Sequence, residues 1–312
     1  IGTIKKKKLC VIGLGPWGMN HLRTLNELDS LGGAVDLLPE KLHLVKERYF
    51  EITTFNSVEG SLEHGFDGFI VSTPPSTHYE IGKKILDAGF PVLIEKPITL
   101  NISHTKNLIQ IAKDSKLCLM VGHVLLFHPA IRKIKSLISE GKIGKLQYIY
   151  SNRLNLGQVR FEENVFWSLA PHDIAIFQYL TGSFPKTVKA DGSTYLQPGI
   201  HDSTLTILEY PDNVKGHIFV SWLHPFKEHR LVAVGSEGML SFDDSSDGKP
   251  LKHYKKKFNL DGLVPVKIDG PMENISYEYK MPLTEELKYF IDHLDDGRPE
   301  ISNGKHALEV IT

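Results

Sequence analysis

"KLCVIGLGPWGMNHLRTL", residues 8–25, decides how the first half of this chain is read. Residues 9–12 form a short apolar, β-prone run. Gly13, Gly15 and Gly18 follow with the spacing G-x-G-x-x-G, and His21, Leu22, Leu25 and Leu28 continue in a helical pattern. A glycine triplet alone carries little weight; set between a strand and a helix it has a mechanism. Gly13 permits a tight turn, Gly15 lets backbone approach a pyrophosphate, and Gly18 lets helix and strand pack closely. Pro16 and Trp17 complete the loop. The helix N-terminus offers free N–H groups and a partial positive charge to phosphates.

Outward from this motif, a second strand-like run, "GAVDLL", places Asp36 about 20 residues on, the distance expected for a carboxylate that accepts from a ribose 2′-hydroxyl. Such a carboxylate repels a 2′-phosphate, and no arginine follows at once, so the pattern favours NAD over NADP. The plainer reading is that Asp36 opens the next helix, "PEKLHLVKERYF". Strands and helices then alternate. "DGFIVST" (67–73), "PVLIEK" (91–96) and "LCLMVGH" (117–123) read as strands, and 77–89 and 103–115 as helices. Alternation of this kind means a parallel sheet covered by helices on both faces. Ligands bind outside the carboxyl ends of such strands, and here those ends carry "STPPSTH", "EKP" and "GH". Thr73 and Pro74 read as a rigid rim beneath the cofactor, with His78 just beyond.

Composition narrows the classes. A chain of 312 residues suggests two domains. Lys+Arg is 36 against Asp+Glu 37, a balance that argues against a nucleic-acid partner. "KKKK" at Lys5–Lys8 reads as a solvated lead into the first strand. Cys10 and Cys118 sit in apolar runs, which suggests buried thiols, a reducing compartment and no disulfide framework. No stretch approaches the roughly 20 apolar residues of a membrane span, and no signal peptide is visible. The expectation is a cytoplasmic protein with no membrane partner. His123 and His128 lack a cysteine or glutamate cluster of recognisable spacing, so no metal is expected.

From about residue 145 the pattern changes. Alternating β-rich runs are separated by turn signals such as "YPDN" at 210–213. Helices are expected near 128–140 and 172–181, and a late one at 283–294. Early helices followed by strands suggest an α+β domain with an antiparallel sheet. Ile218, Val220 and Trp222 alternate in one strand and mark a face for pairing two subunits. The domains are expected at 1–123, binding dinucleotide, and 124–312, binding substrate and forming oligomers.

"GLGPWG", "STPPSTHYEIGKKILDAGFPVLIEKPIT" and "PHD" before a helix resemble the Gfo/Idh/MocA family of nicotinamide-dependent oxidoreductases, over nearly the whole chain. The resemblance implies an α/β protein: an N-terminal Rossmann parallel sheet, and a C-terminal α+β domain with a large open, mainly antiparallel sheet through which homodimers or homotetramers form. It implies that Lys96, beside Glu95 in the E-K-P motif, lies next to the nicotinamide, and that His172, at the start of a second-domain helix, is the acid/base. "VGHVLLFHPAI", "SNRLNLGQVRFEENVFW" and "LAPHDIAIFQYLTG" are similar to the branch that contains UDP-N-acetylglucosamine 3-dehydrogenase. The activity so implied is NAD-dependent oxidation of the 3-hydroxyl of a UDP-linked N-acetylamino sugar. One position departs from the family pattern: Ser168 stands where an aspartate usually precedes the histidine by four residues.

The chemistry needs a base for the hydroxyl proton, a hydride acceptor and a group that stabilises charge on oxygen. NAD accepts the hydride. An imidazole titrates near neutral pH, which suits His172; Lys96 suits the charge-stabilising task, or the base if burial lowers its pKa. Taken alone, His172 after Pro171 would be only a helix start. Arg153 and Arg160, flanking "LNLGQV", match phosphate geometry, with Asn155 beside them; two surface arginines are the plainer reading. Ser168 and Asp173 complete the candidate substrate contacts, although adjacent helical residues do not share a face, which sets Asp173 apart from His172. Other readings are a dehydrogenase or NAD-dependent glycosidase acting on a sugar without a nucleotide, and a dinucleotide-binding regulator without turnover.

Overall fold

The structure, a computed structural model, describes residues 6–161 and 163–312. Lys5 of the basic cluster therefore lies outside the described residues. Lys6 pairs with Asp29, and Lys7 with Asp295 at 2.7 Å, just ahead of the first strand.

The chain runs through β1 (Leu9–Ile12), α1 (Pro16–Glu27), β2 (Leu31–Val35), α2 (Pro39–Arg48), β3 (Thr53–Phe55), α3 (Val58–Leu62), β4 (Gly68–Val71), α4 (His78–Asp87), β5 (Val92–Ile94), α5 (Ile102–Ser115) and β6 (Leu119–Val121). There follow α6 (Pro129–Ser139), β7 (Leu146–Leu154), α7 (Val165–Thr181), β8 (Thr187–Ser193), β9 (Ser203–Glu209), β10 (Lys215–Ser221), β11 (Glu228–Gly235), β12 (Met239–Asp243), β13 (Leu251–Tyr254), β14 (Lys257–Asn259), β15 (Val266–Ile268) and β16 (Met272–Ile275). Helices α8 (Pro282–Asp292) and α9 (Gly304–Ile311) close it. Two compact units result: residues 1–127 with 280–312, and residues 128–279.

The first unit is a six-stranded sheet in the order β3-β2-β1-β4-β5-β6. Every pairing is parallel. All four residues of β1 and of β4 are buried, as expected for central strands covered on both faces. Phe69, Val71, Ile85, Leu86, Ile94 and Leu108 form part of its core. The expected boundary at 123/124 omits the C-terminal return to this unit. Ser302 bonds to Val121 through backbone and hydroxyl, and α9 packs on α5. The last 33 residues thus extend the edge at β6 instead of ending the second domain. The short β3 and α3 were also not anticipated; three and five residues give too little periodicity to read.

The second unit is an eight-stranded sheet in the order β16-β13-β12-β11-β7-β10-β9-β8. It is antiparallel except for β7 with β10. The "YPDN" turn joins β9 to β10 as expected. Its burial alternates: Thr204, Thr206 and Leu208 are buried while Leu205 and Ile207 are exposed, the signature of a sheet covered on one face. Helix α7 packs against β10, and this corrects one expectation. Ile218, Val220 and Trp222 are buried within this chain, because Ile218 and Val220 are on the face that α7 covers. The open face carries Tyr148, Leu205 and Ile207 instead, each about 40% exposed.

A second correction concerns α7. It begins at Val165, not at 172, so His172 is mid-helix and Pro171 is inside it. Asn164 caps the helix by accepting from the Trp167 N–H at 3.1 Å. This satisfies a donor that the first turn leaves open.

Candidate active site

The glycine loop is built as its spacing requires. Gly13 has φ +93°, and a Cβ there would meet the Ser72 carbonyl oxygen at 2.7 Å. A Cβ on Gly18 would lie 1.9 Å from the Gly13 carbonyl oxygen, so helix and turn touch only because no side chain intervenes. At Gly15 a Cβ would meet nothing within 4 Å: the backbone here borders open space. No side chain caps α1 and no acidic residue occupies its first turn. Its first N–H groups and dipole therefore face that space without competition, and they fit the pyrophosphate of a dinucleotide.

Asp36 follows β2 directly. Its carboxylate accepts from the Leu14 N–H at 2.8 Å and the Leu38 N–H at 3.0 Å, and pairs with Lys41 at 3.3 Å. Burial by itself raises its pKa, but the two backbone donors and the Lys41 ammonium outweigh that and hold it below the usual carboxylate value. An ionised acceptor at this strand end suits a ribose hydroxyl.

At the ends of β4 and β5 the candidates separate into rim and support. Pro74 is exposed and Thr73 half-buried. His78 lies beneath them, 1% exposed, its ring bridging the carbonyls of Thr73 and Pro97 at 2.8 Å each. It ties the two loops together. Burial lowers its pKa despite both bonds. Glu95 is likewise support: Oε1 accepts from the Trp17 indole and meets His21 Nε2 at 2.8 Å, and Oε2 accepts from the Lys96 N–H at 3.2 Å. The E-K-P turn is thereby fastened to the glycine-loop helix, and half-buried Lys96 stands on that fastening.

In the second unit, the helical course of α7 sets Ser168 and His172 one turn apart on one face. Asp173, 2% exposed, lies off that face and pairs with Arg153 of β7: Nε to Oδ2 at 2.8 Å and Nη2 to Oδ1 at 3.0 Å. This two-pronged pair engages both side chains with each other. Asn155 is half-buried just past β7, its N–H donating to the Ser221 carbonyl. Arg160 is exposed and only loosely paired with Glu163, at 4.0 Å.

Three residues escaped sequence reading. Gly122 leaves room for the Glu95 carboxylate, which a Cβ would approach to 2.6 Å. His21 looked like one more residue of an amphipathic helix. His229 sits across the strand register from Arg153; burial, then the charges of Arg153 and Lys227, lower its pKa to about 4. Only strand pairing reveals that neighbourhood. Among the described residues no group of three or more His, Cys, Asp or Glu could hold a metal, and no helix is long and apolar enough to cross a membrane. Cys10 and Cys118 are buried, free thiols.

Residues 7–123 match the family profile described as "Oxidoreductase family, NAD-binding Rossmann fold", and residues 131–241 match "GFO/IDH/MocA C-terminal domain". UDP-N-acetylglucosamine 3-dehydrogenase of Acidithiobacillus ferrooxidans is 31% identical over 183 residues, covering 58% of this chain and 56% of that protein. The NAD(+)-dependent scyllo-inositol 2-dehydrogenase of Bacillus subtilis is 27% identical over 250 residues, covering 75% of this chain and 72% of that one. The solved structure of the Acidithiobacillus enzyme superposes with TM-score 0.86 at 24% identity, covering 99% and 95% of the two chains. That likeness establishes the shared fold.

Proposed function

The chain belongs to the Gfo/Idh/MocA family of NAD-binding oxidoreductases, and on that premise we propose that it oxidises the 3-hydroxyl of a UDP-linked N-acetylamino sugar to a 3-keto sugar. The observation that carries the substrate reading is the 31% identity to UDP-N-acetylglucosamine 3-dehydrogenase. The family's cofactor fits the residues present. Gly13, Gly15 and Gly18 with the free end of α1 would hold its pyrophosphate, and Asp36 its ribose. Bound there, NAD supplies the hydride acceptor.

The chain's own groups divide the remaining work. The His172 imidazole takes the hydroxyl proton at a nitrogen. The Lys96 ammonium donates to the oxygen as charge develops on it. Ser168, on the same helical face as His172, offers a hydroxyl where a carboxylate would add charge. It orients the sugar without strengthening the base, so proton transfer depends more heavily on His172 itself. Arg160, exposed and loosely held, is the cation that can move to a diphosphate. Arg153 is committed to Asp173, and with that pair and Asn155 it forms a fixed polar wall for the sugar. The open sheet face with Tyr148, Leu205 and Ile207 is the surface for a homodimer or homotetramer.

A second reading, a dehydrogenase of a free cyclitol, draws support from the scyllo-inositol relative, which aligns over more of the chain. The two separate in one assay. The protein is mixed with NAD and, in parallel, UDP-N-acetylglucosamine, its uronic acid or scyllo-inositol, and reduced nicotinamide is followed by absorbance. A further set contains α-ketoglutarate and is analysed for ketone, which detects turnover if the reduced cofactor stays bound. Turnover of a UDP-sugar with none of the cyclitol is expected. Turnover of the cyclitol alone would replace the first reading by the second.

A further inference from the structure

Helix α8 turns an apolar stripe inward: Leu283, Leu287 and Phe290 are buried, and in the same stripe lies Glu286, 0% exposed. Neither oxygen of its carboxyl group has a hydrogen-bond partner. The helix packs on α1 and on the turn Val124–Phe127, both beside the cofactor half-site. The charge that acts on Glu286 is Glu95.

A fully buried carboxyl group with no hydrogen-bond partner does not hold a charge, so Glu286 keeps its proton. Glu95 accepts from Trp17 and from the Lys96 N–H, donors that can only donate, and also meets His21. Those three bonds hold Glu95 between the glycine-loop helix and the Lys96 turn. Glu286, with nothing to compensate a charge, is the neutral acid; burial first, and then Glu95, raise its pKa well above the carboxylate range.

We propose that Glu286 is a positioning residue of the cofactor half-site: neutral in its apolar stripe, it lets Glu95 fasten the glycine-loop helix to the Lys96 turn, and its ionisation loosens both. This rests on the family's NAD binding and is independent of which sugar is oxidised. The other titratable groups around it are few. His21 comes from α1, and Lys96 adjoins Glu95. The turn Val124–Phe127 contributes none. His123, just before that turn, is buried, and desolvation followed by His306 and Lys96 lowers its pKa. On α8 itself, Glu285 and Lys288 pair with each other at 3.4 Å; Asp292 and His293 are at its far end, and the Tyr289 hydroxyl accepts from the Glu300 N–H.

The sign follows from the linkage. The neutral form persists below the raised pKa and is lost as pH rises through it. NAD affinity of the whole protein, measured by titration calorimetry from neutral to alkaline pH, should therefore fall, approaching roughly tenfold per pH unit once Glu286 titrates. Glu286→Gln, which mimics the neutral acid, should keep the neutral-pH affinity and remove that slope. The comparison isolates Glu286, the one group that differs between the two proteins. An infrared titration of the wild-type protein requires no variant to fold: a protonated-carboxyl band should be present at neutral pH and disappear over the range in which affinity falls. A flat wild-type profile, an identical slope in Glu286→Gln, or no such band at neutral pH would each overturn the proposal.

Discussion

In the proposed reaction the His172 imidazole takes the hydroxyl proton, so it must be neutral before transfer and charged after it. His172→Ala is therefore expected to lower kcat by about 10²–10⁴-fold while leaving NAD affinity unchanged, as read by steady-state rates alongside calorimetry. Gly18→Ala is expected to act the other way round. Its Cβ would lie 1.9 Å from the Gly13 carbonyl oxygen, and forcing the loop apart should cost about 1–3 kcal/mol and weaken NAD binding, with melting temperature and cofactor affinity both falling. The tight turn at Gly13 and the close packing at Gly18 were legible in the sequence because they depend on local backbone geometry at fixed spacing. His21, Gly122 and Glu286 were not. Each acts through Glu95, and His21 is separated from it by 74 residues; only the packed fold brings them together.

The elements were legible wherever a period could run its course. Strands β1, β4 and β5 and helices α4 and α5 stand within a few residues of their expected places. Helix α7 differs because two signals compete. Pro171 favours a first-turn position, whereas Asn164 caps a start seven residues before His172, and the buried contacts of Val165 and Ala170 hold the earlier turn in place. Asn164→Ala should cost about 1 kcal/mol by thermal or chemical unfolding. Removing one partner of the buried pair is the harsher change: Arg153→Ala strands the Asp173 carboxylate and should cost about 3–5 kcal/mol. Replacing both partners by apolar residues of similar volume should restore most of that stability. Recovery in the double variant would attribute the loss to the stranded charge instead of to the arginine's own packing.

At the scale of the whole molecule, the alternation of strands and helices and then the run of strands disclosed two kinds of sheet. The return of residues 280–312 to the first unit stayed hidden, because an amphipathic helix such as α8 does not state which core it covers. The same limit misplaced the face of the second sheet: alternation shows that β10 has two faces, not which of them α7 occupies. The second unit also carries an acid sensitivity. Burial lowers the pKa of His128 to about 4, with Asp244 and Lys249 opposing each other around it, and His229 is lowered to about 4 as well. A depressed folded pKa gives stability that is complete above the ordinary histidine value near 6.5 and is lost as pH falls toward 4. For His128, 2% exposed, this amounts to about 3 kcal/mol. Melting temperature should drop over that window, and His128→Asn should lessen the drop.

The proposed reaction removes a hydride from C3 of a UDP-linked amino sugar. A single turnover of the protein with NAD and UDP-N-acetylglucosamine deuterated at C3, quenched in cold organic solvent at alkaline pH, is followed by mass spectrometry of the nicotinamide cofactor. Reduced cofactor carrying the deuterium is expected, whether or not it leaves the protein. Reduced cofactor without the label, or no reduced cofactor and no keto sugar, would contradict it.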